Sequence, residues 1–276
     1  MPIAIVLTLA APADITLMHH PASGRINYAN ALAYIRSVDN AVGSAIHDAD
    51  GPTPLTCSGL WPVHTDRDGV HIQAGQPVHL RITGLTPAVE SVLQKLLCAE
   101  TRPTQWPMQE QPFALVDAVC DGAADPWSGQ VGYEALAAQQ LLQPGQPNRR
   151  TTFSFHSPVS FKSNNMYVPI PMPDLIFGSL VERWNAFSPV TLSPEMRRFG
   201  AEMVALSNYQ LRSQPVIQKS GAPIVGSVGK ATYIALGGDR YWHAVMQMLA
   251  DFAFYSGVGI KTTTGMGQLR RVSAKD

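Results

Sequence analysis

Eight histidines and one lysine set in a glycine-rich loop are the residues of this chain whose types and spacing could do chemistry. Histidine moves protons near neutral pH, and it is supplied by His19, His20, His47, His64, His71, His79, His156 and His243. The loop reads GVGIKTTTGMGQ. Gly257, Gly259, Gly265 and Gly267 let the backbone bend sharply and approach a ligand closely, Lys261 brings a cation, and Thr262, Thr263 and Thr264 add hydroxyls. Successive N–H groups in such a loop form an anion-binding nest. The chemistry on offer is therefore proton transfer beside a held anion, although the same glycines would also serve an ordinary hairpin loop.

Familiar nucleotide motifs are excluded. A phosphate-binding P-loop needs Gly-Lys-Ser/Thr after its second glycine, and Met266 follows Gly265 here. A dinucleotide fingerprint follows a strand and opens a helix, whereas this loop follows an expected helix, Asp239–Ser256, and leads into a strand, Met266–Val272. There is no HExxH, no CxxC and no carboxylate cluster, and the adjacent His19-His20 pair cannot turn both rings on one ion, so no metal or other cofactor is expected. The aromatic signature of RNA recognition motifs is missing. Trp61, Trp106, Trp127 and Trp184 read as core, and Cys57, Cys98 and Cys120 as small buried apolar residues in a reducing, cytoplasmic setting.

The elements that must position these groups follow from periodicity. Residues 2–10 read as a buried strand; the stretch PIAIVLTLAAPA lacks the positive flank of a signal peptide, and no apolar run is long enough to span a membrane. A helix is expected over Tyr28–Ile46, with Asn27 as its cap. Strands are expected at Leu55–Trp61, Pro77–Ile82 and Phe113–Cys120, and a helix at Pro87–Cys98. The order βαββαβ is that of a ferredoxin-like unit. After a linker at Asp121–Gly132 and a helix at Tyr133–Leu142, Thr151–Phe161 alternates so that Phe153, Phe155 and Phe161 share one face and His156 the other. A helix at Asp174–Phe187, strands at Val204–Val216 and Ala222–Leu236, and the helix and strand around the glycine loop complete a second βαββαβ. The expected fold is α+β with two tandem ferredoxin-like (RRM-like) domains, 1–125 and 126–276. His47 falls at the end of the first helix, where the carbonyl-rich terminus favours a protonated imidazole. It could act as a general acid or merely cap carbonyls.

The formal net charge is zero, but it is unevenly spread. Residues 1–148 carry 6 basic and 13 acidic side chains, and residues 149–276 carry 14 and 7. Three stretches, Arg149–Lys162, Met203–Gly238 and Val258–Lys275, are basic and contain no acid. Such asymmetry points to a polyanion meeting the second half.

Five segments, AIHDADGPTPLTCSGLW, FHSPVSFKS, DLIFGSLVERW, SNYQLRSQPV and GVGIKTTTGMGQ, occur in the order in which a known family has them. The chain resembles the CRISPR-associated endoribonucleases of the Cas-six family, within the RAMP superfamily. That resemblance implies tandem ferredoxin-like domains and metal-independent cleavage of CRISPR repeat RNA. In that reaction the 2′-hydroxyl attacks, leaving a 2′,3′-cyclic phosphate and a 5′-hydroxyl. It implies His47 as the catalytic acid/base. Lys261 and the loop glycines Gly257, Gly259, Gly265 and Gly267, with Thr262, would hold the RNA backbone, supported by Arg149, Arg150, Lys162, Arg270 and Arg271. Family members often pair the histidine with an upstream tyrosine and a downstream lysine. Here no lysine or arginine lies between Arg36 and Arg67, and Tyr34 would face away from His47 on a straight helix. Arg25, His20 or Lys162 could supply the second group. The partners implied are repeat RNA, with effector-complex subunits and a second copy of the chain left open. A RAMP subunit that binds guide RNA without cutting it, and a small-molecule enzyme with an anion-binding loop, are the competing readings.

Overall fold

The computed structural model of the protein describes residues 1–17, 20–66, 68–109, 111–218 and 221–272. His19 and Lys275 lie outside the described residues, as does the side chain of His20. The chain forms two compact units. One comprises Met1–Gln130 with Ile217–Ser220 and Thr263–Gly265, the other Val131–Val216, Gly221–Thr262 and Met266–Asp276.

In the first unit the elements run β1 (Ile3–Ala10), β2 (Ile15–Leu17), α1 (His20–Val38), α2 (Asn40–Asp48), β3 (Leu55–Cys57), β4 (His64–Thr65), β5 (Val70–Ile72), β6 (Pro77–Gly84), α3 (Pro87–Gln94), β7 (Gln105–Met108), β8 (Gln111–Val119) and β9 (Gly129–Gln130). The main sheet has the order β3-β6-β1-β8-β7, with β9 also on β1, and its pairings are antiparallel. This is the ferredoxin-like order, with helices in both crossovers. Ile3, Ile5, Leu7 and Leu9 alternate along β1 and enter one core with Ile35, Val89, Leu93 and Phe113. The small sheet β2-β5-β4 is not foreseen by periodicity, because strands of two or three residues carry no period.

The first helix differs from the expected one. It begins at His20 and is broken before Asp39, whose carboxylate accepts from the N–H groups of Ala41 and Val42 and so starts a separate α2. Asn27 is therefore no cap. It is buried inside α1, and its Nδ2 donates to the Ser58 carbonyl at 2.8 Å. The facing argument that set Tyr34 against His47 fails with the break, since it assumed one straight helix. Two further expectations need correction. Trp106 and Trp184 are core, but Trp61 and Trp127 are only half-buried; Arg81 lies over the Trp127 ring at 5.7 Å. Cys57 is buried, whereas Cys98 is exposed.

The second unit contains α4 (Tyr133–Leu141), β10 (Arg150–Val159), β11 (Phe161–Ser163), β12 (Met166–Val168), α5 (Pro173–Phe187), α6 (Met196–Met203), β13 (Val204–Ile217), β14 (Pro223–Ala235), α7 (Arg240–Ser256) and β15 (Leu269–Val272). Its sheet order β13-β14-β10-β15 repeats the ferredoxin-like arrangement. Tyr133, Trp184 and Phe252 join α4, α5 and α7. Trp184 meets each of the other two rings edge-on at 5.2 Å between centroids. Asp239 caps α7 through the N–H groups of Tyr241 and Trp242, and Gly257 ends it at φ 62. Among the described residues no helix is long and apolar enough to cross a membrane.

The cap at Asp39 is what separates α2, and with it His47, from α1. Asp39→Ala is expected to cost about 0.5–2 kcal/mol, measured as a lowered urea midpoint at unchanged m-value. An unmoved midpoint would show that α2 stands without its cap.

Candidate nucleic-acid interface

The glycine loop is built around close backbone passages. Gly259 has φ 76 and Gly267 φ 69. A Cβ on Gly259 would collide with the Ser160 carbonyl oxygen, and one on Gly267 with the carbonyl oxygen of Val258. The amides are occupied as well. Gly257 N–H donates to Ala253 O, Val258 to Gly267 O, Ile260 to Ser160 O and Gly267 to Pro158 O, at 2.9–3.0 Å. Gly259 N–H donates to Ser179 Oγ at 3.1 Å, and Gly259 O accepts from Arg183 Nη2 at 2.8 Å. Arg183 is half-buried, and the loss of solvent around its guanidinium lowers its pKa to about 10. The nest expected at Gly257, Gly259 and Gly267 is thus not free to bind an anion, because the fold uses those donors itself. Thr262 is buried as well.

Lys261 stands apart from this arrangement. It is exposed and takes φ 57, a left-handed conformation unusual for a residue with a side chain. The loop tip, residues 263–265, belongs to the first unit. There a Cβ on Gly24 of α1 would stand 2.5 Å from the Thr264 carbonyl oxygen, and one on Gly265 3.3 Å from the Gly59 nitrogen. The bond from buried Asn27 to Ser58 O holds the Ser58-Gly59 segment against α1 at this place.

The outer face of the second sheet carries the charge. On β10 the helix-facing residues Phe153 and Phe155 are buried, while Arg150, Thr152, Ser154 and His156 alternate with them. Ser154 pairs with Lys230 of β14 on one side and Arg270 of β15 on the other. Directly paired residues share a face, so Lys230, Ser154 and Arg270 form a row across three strands, and Thr152 and Thr232 lie beside it with hydroxyls 2.9 Å apart. His156 has its pKa lowered by partial burial, then by the positive charges of Arg270 and Lys230. The four strands contain no Asp or Glu at all. Lys230 is a member that reading the sequence missed. The alternation within Ala222–Leu236 was there to place it, but the register against Ser154 was not.

The remaining candidates are spread more widely. Arg149 and Arg150 are exposed at the start of β10, and Lys162 is exposed on β11. Arg271 lies on the opposite, helix-side face from Arg270, and its Nη1 pairs with Asp251 Oδ1 at 2.9 Å. His47 is exposed in the last turn of α2, next to Asp48. Arg25 is exposed on α1. The Tyr34 hydroxyl is enclosed without a hydrogen-bond partner, and burial raises its pKa. Among the described residues no group of three or more His, Cys, Asp or Glu side chains is placed to hold a metal ion.

Residues 153–269 match the family described as CRISPR-associated endoribonuclease Cas6. A CRISPR-associated endoribonuclease Cas6 of Streptococcus thermophilus is 31% identical over 154 residues, 53% of this chain and 62% of the relative. One from Mycobacterium tuberculosis is 31% identical over 123 residues, 44% of this chain and 38% of its own. The chain thus spans less than two thirds of the length of these curated relatives. Among solved structures, a Cas6 product complex superposes with TM-score 0.78 at 23% identity, over 99% of this chain and 100% of that one. Thermus thermophilus Cas6 superposes with TM-score 0.73 at 23% identity, over 99% and 98%. The tandem ferredoxin-like fold is found again by comparison, and the matched stretch contains four of the five segments, all but the one that holds His47.

Because Gly259 passes against a backbone oxygen at positive φ, Gly259→Ala is expected to destabilise the protein by several kcal/mol, about 1–3 from the backbone conformation alone with the clash added. Lys261→Gly, which relieves the same kind of strain, should leave thermal stability unchanged or raised. Calorimetry on the two variants checks this, and equal melting temperatures would refute the close-passage account.

Proposed function

We propose, from the chain's similarity to Cas6 endoribonucleases, that it is an endoribonuclease that binds CRISPR repeat RNA and cuts the precursor transcript into guide RNAs without a metal. The observation that carries the binding half is the second sheet: four strands without a carboxylate, and Arg150, Lys230 and Arg270 on one face. A surface of that kind meets phosphates by displacing their counterions. Lys261, Arg149, Lys162 and the exposed part of the glycine loop extend it. Arg271, paired with Asp251, serves the fold instead, as do the amides of Gly257, Gly259 and Gly267.

The chemistry needs three things. The 2′-hydroxyl must lose a proton, the departing 5′-oxygen must gain one, and the charge on the phosphate must be offset. The products are a 2′,3′-cyclic phosphate and a 5′-hydroxyl, with no added water and no change of oxidation state. His47 is our acid, giving its proton to the 5′-oxygen. Its exposed position in the last turn of α2, open to a bound strand, supports that role. Because nothing in this scheme uses a metal-bound water, cleavage should persist in excess EDTA; loss on chelation, restored by a divalent ion, would remove the metal-free mechanism.

A positioned proton donor contributes about 10²–10⁴-fold. His47→Ala should lower the single-turnover rate by roughly that factor and leave RNA affinity nearly unchanged. Replacing the bridging 5′-oxygen of the substrate by sulfur gives a leaving group that needs no proton, and that substrate should largely restore the variant. A His47→Ala protein that cuts the natural substrate at the normal rate would refute the assignment. A wild-type protein that binds but never cuts would instead be a RAMP subunit that holds guide RNA.

A further inference from the structure

We infer that the β11–β12 hairpin is a stacking element for unpaired RNA, in which Tyr167 carries a base and Lys162 the adjoining phosphate. The inference rests on the RNA-binding part of the function proposed above and adds what that surface would distinguish: a single strand from a duplex. The hairpin is a short ribbon of its own. Its register is Phe161↔Val168, Lys162↔Tyr167, Ser163↔Met166, closed by Asn164 and Asn165 at φ 47 and φ 63. Two consecutive residues at positive φ mark the turn whose twist matches a two-residue hairpin, and asparagine tolerates that conformation best after glycine. The register is therefore held by the turn itself.

Register places Lys162 and Tyr167 directly opposite each other, on one face of the ribbon. Tyr167 is 52% exposed and Met166 67%. Tyr167 and Lys162 together present a flat apolar ring beside an exposed cation. It is the combination that grips single-stranded nucleic acid, since every base has a stacking face and every nucleotide a phosphate. Within a duplex the stacking faces are already covered, so the ring has nothing to engage. The surroundings favour a polyanion over a protein partner: no Asp or Glu occurs between Glu134 and Asp174, while Arg149, Arg150 and Lys162 do. The root of the hairpin is rigid. Ser160 and Phe161 are buried, and the Ser160 carbonyl accepts from Ile260 N–H at 2.9 Å, the residue before Lys261. The prong and the exposed lysine of the glycine loop thus spring from one hydrogen-bonded base, and a rigid base limits the entropy lost on binding.

The test uses a fluorescently labelled single-stranded oligonucleotide of the repeat whose 2′-hydroxyl at the cut is replaced by hydrogen, so that binding is read without cleavage. The same strand annealed to its complement is the control. Tyr167→Ala should weaken single-strand binding by roughly 5- to 150-fold, leave the duplex unaffected, and leave the salt dependence unchanged because no charge is lost. Tyr167→Phe should bind as the wild type does. Lys162→Ala should lower the salt slope on the single strand by about 0.7. Unchanged single-strand affinity of Tyr167→Ala, with wild-type cleavage intact, would overturn the inference and leave the proposed activity standing. So would a shift in the sedimentation of RNA-free protein on that substitution, since the patch would then join copies of the chain. A wild-type protein that shows the Tyr167-dependent binding but does not cut the all-ribose strand would refute the nuclease reading and support the stacking role.

Discussion

The second unit depends on the passage of the main chain at Gly259 and Gly267 against the carbonyl oxygens of Ser160 and Val258. No residue with a Cβ can make these approaches. They let the loop after α7 pair with the end of β10: Ile260 and Gly267 donate to Ser160 and Pro158, while His156 N–H donates back to Gln268 O. From the helix side Ser179 and Arg183, one turn apart on α5, take the N–H and the C=O of Gly259. A partly desolvated guanidinium needs partners for its donors, and the carbonyls of Ser256, at the end of α7, and Gly259 supply two of them. Three of the five segments that carry the family resemblance are thus found together in one hydrogen-bonded junction, and a fourth enters it through Val216, which packs with Ile224 and Met266.

A loop so fully committed to its own hydrogen bonds acts as a support. What it presents outward is a single cation, Lys261, held at φ 57. The larger electrostatic feature is the sheet that the loop helps to close. Carboxylates are absent from its strands, and Asp251 of α7 neutralises Arg271 of β15 on the helix side. Opposite it, Arg270 shares the open face with Lys230. The alternation of a strand thereby sorts two neighbouring arginines onto different faces: one fastens α7 to the sheet, the other joins Lys230 in the row across the opposite face.

Much of this was legible from the sequence. A nearly continuous apolar strand such as Ile3–Ala10, an alternating one such as Arg150–Val159, and helices with strong caps, such as Asp239 on α7, follow from short-range rules of hydropathy, period and hydrogen bonding, and two βαββαβ orders follow from them. The division of charge between the halves is a sum over residues and needs no fold. The conformational demand for glycine at the loop was visible too, because it is a property of one residue. The break at Asp39 was missed because the apolar spacing runs on across it, and a cap that competes with a continuous stripe shows itself only in the side chain's bonds.

What the tertiary structure alone decided is partnership. Whether a glycine N–H is spare or spent depends on a carbonyl about a hundred residues away, and no local pattern holds that information. The same holds for Arg270 against Arg271, for Lys230 beside Ser154, and for Asn27, which reads as a cap and is in fact a buried strut to Ser58. The sequence by itself determined which elements form, which half is basic and where glycine is required, since these rest on backbone sterics, periodicity and charge. The structure decided which donors the fold itself consumes and which side chains share a face, because that is settled by register and burial between segments far apart in the chain.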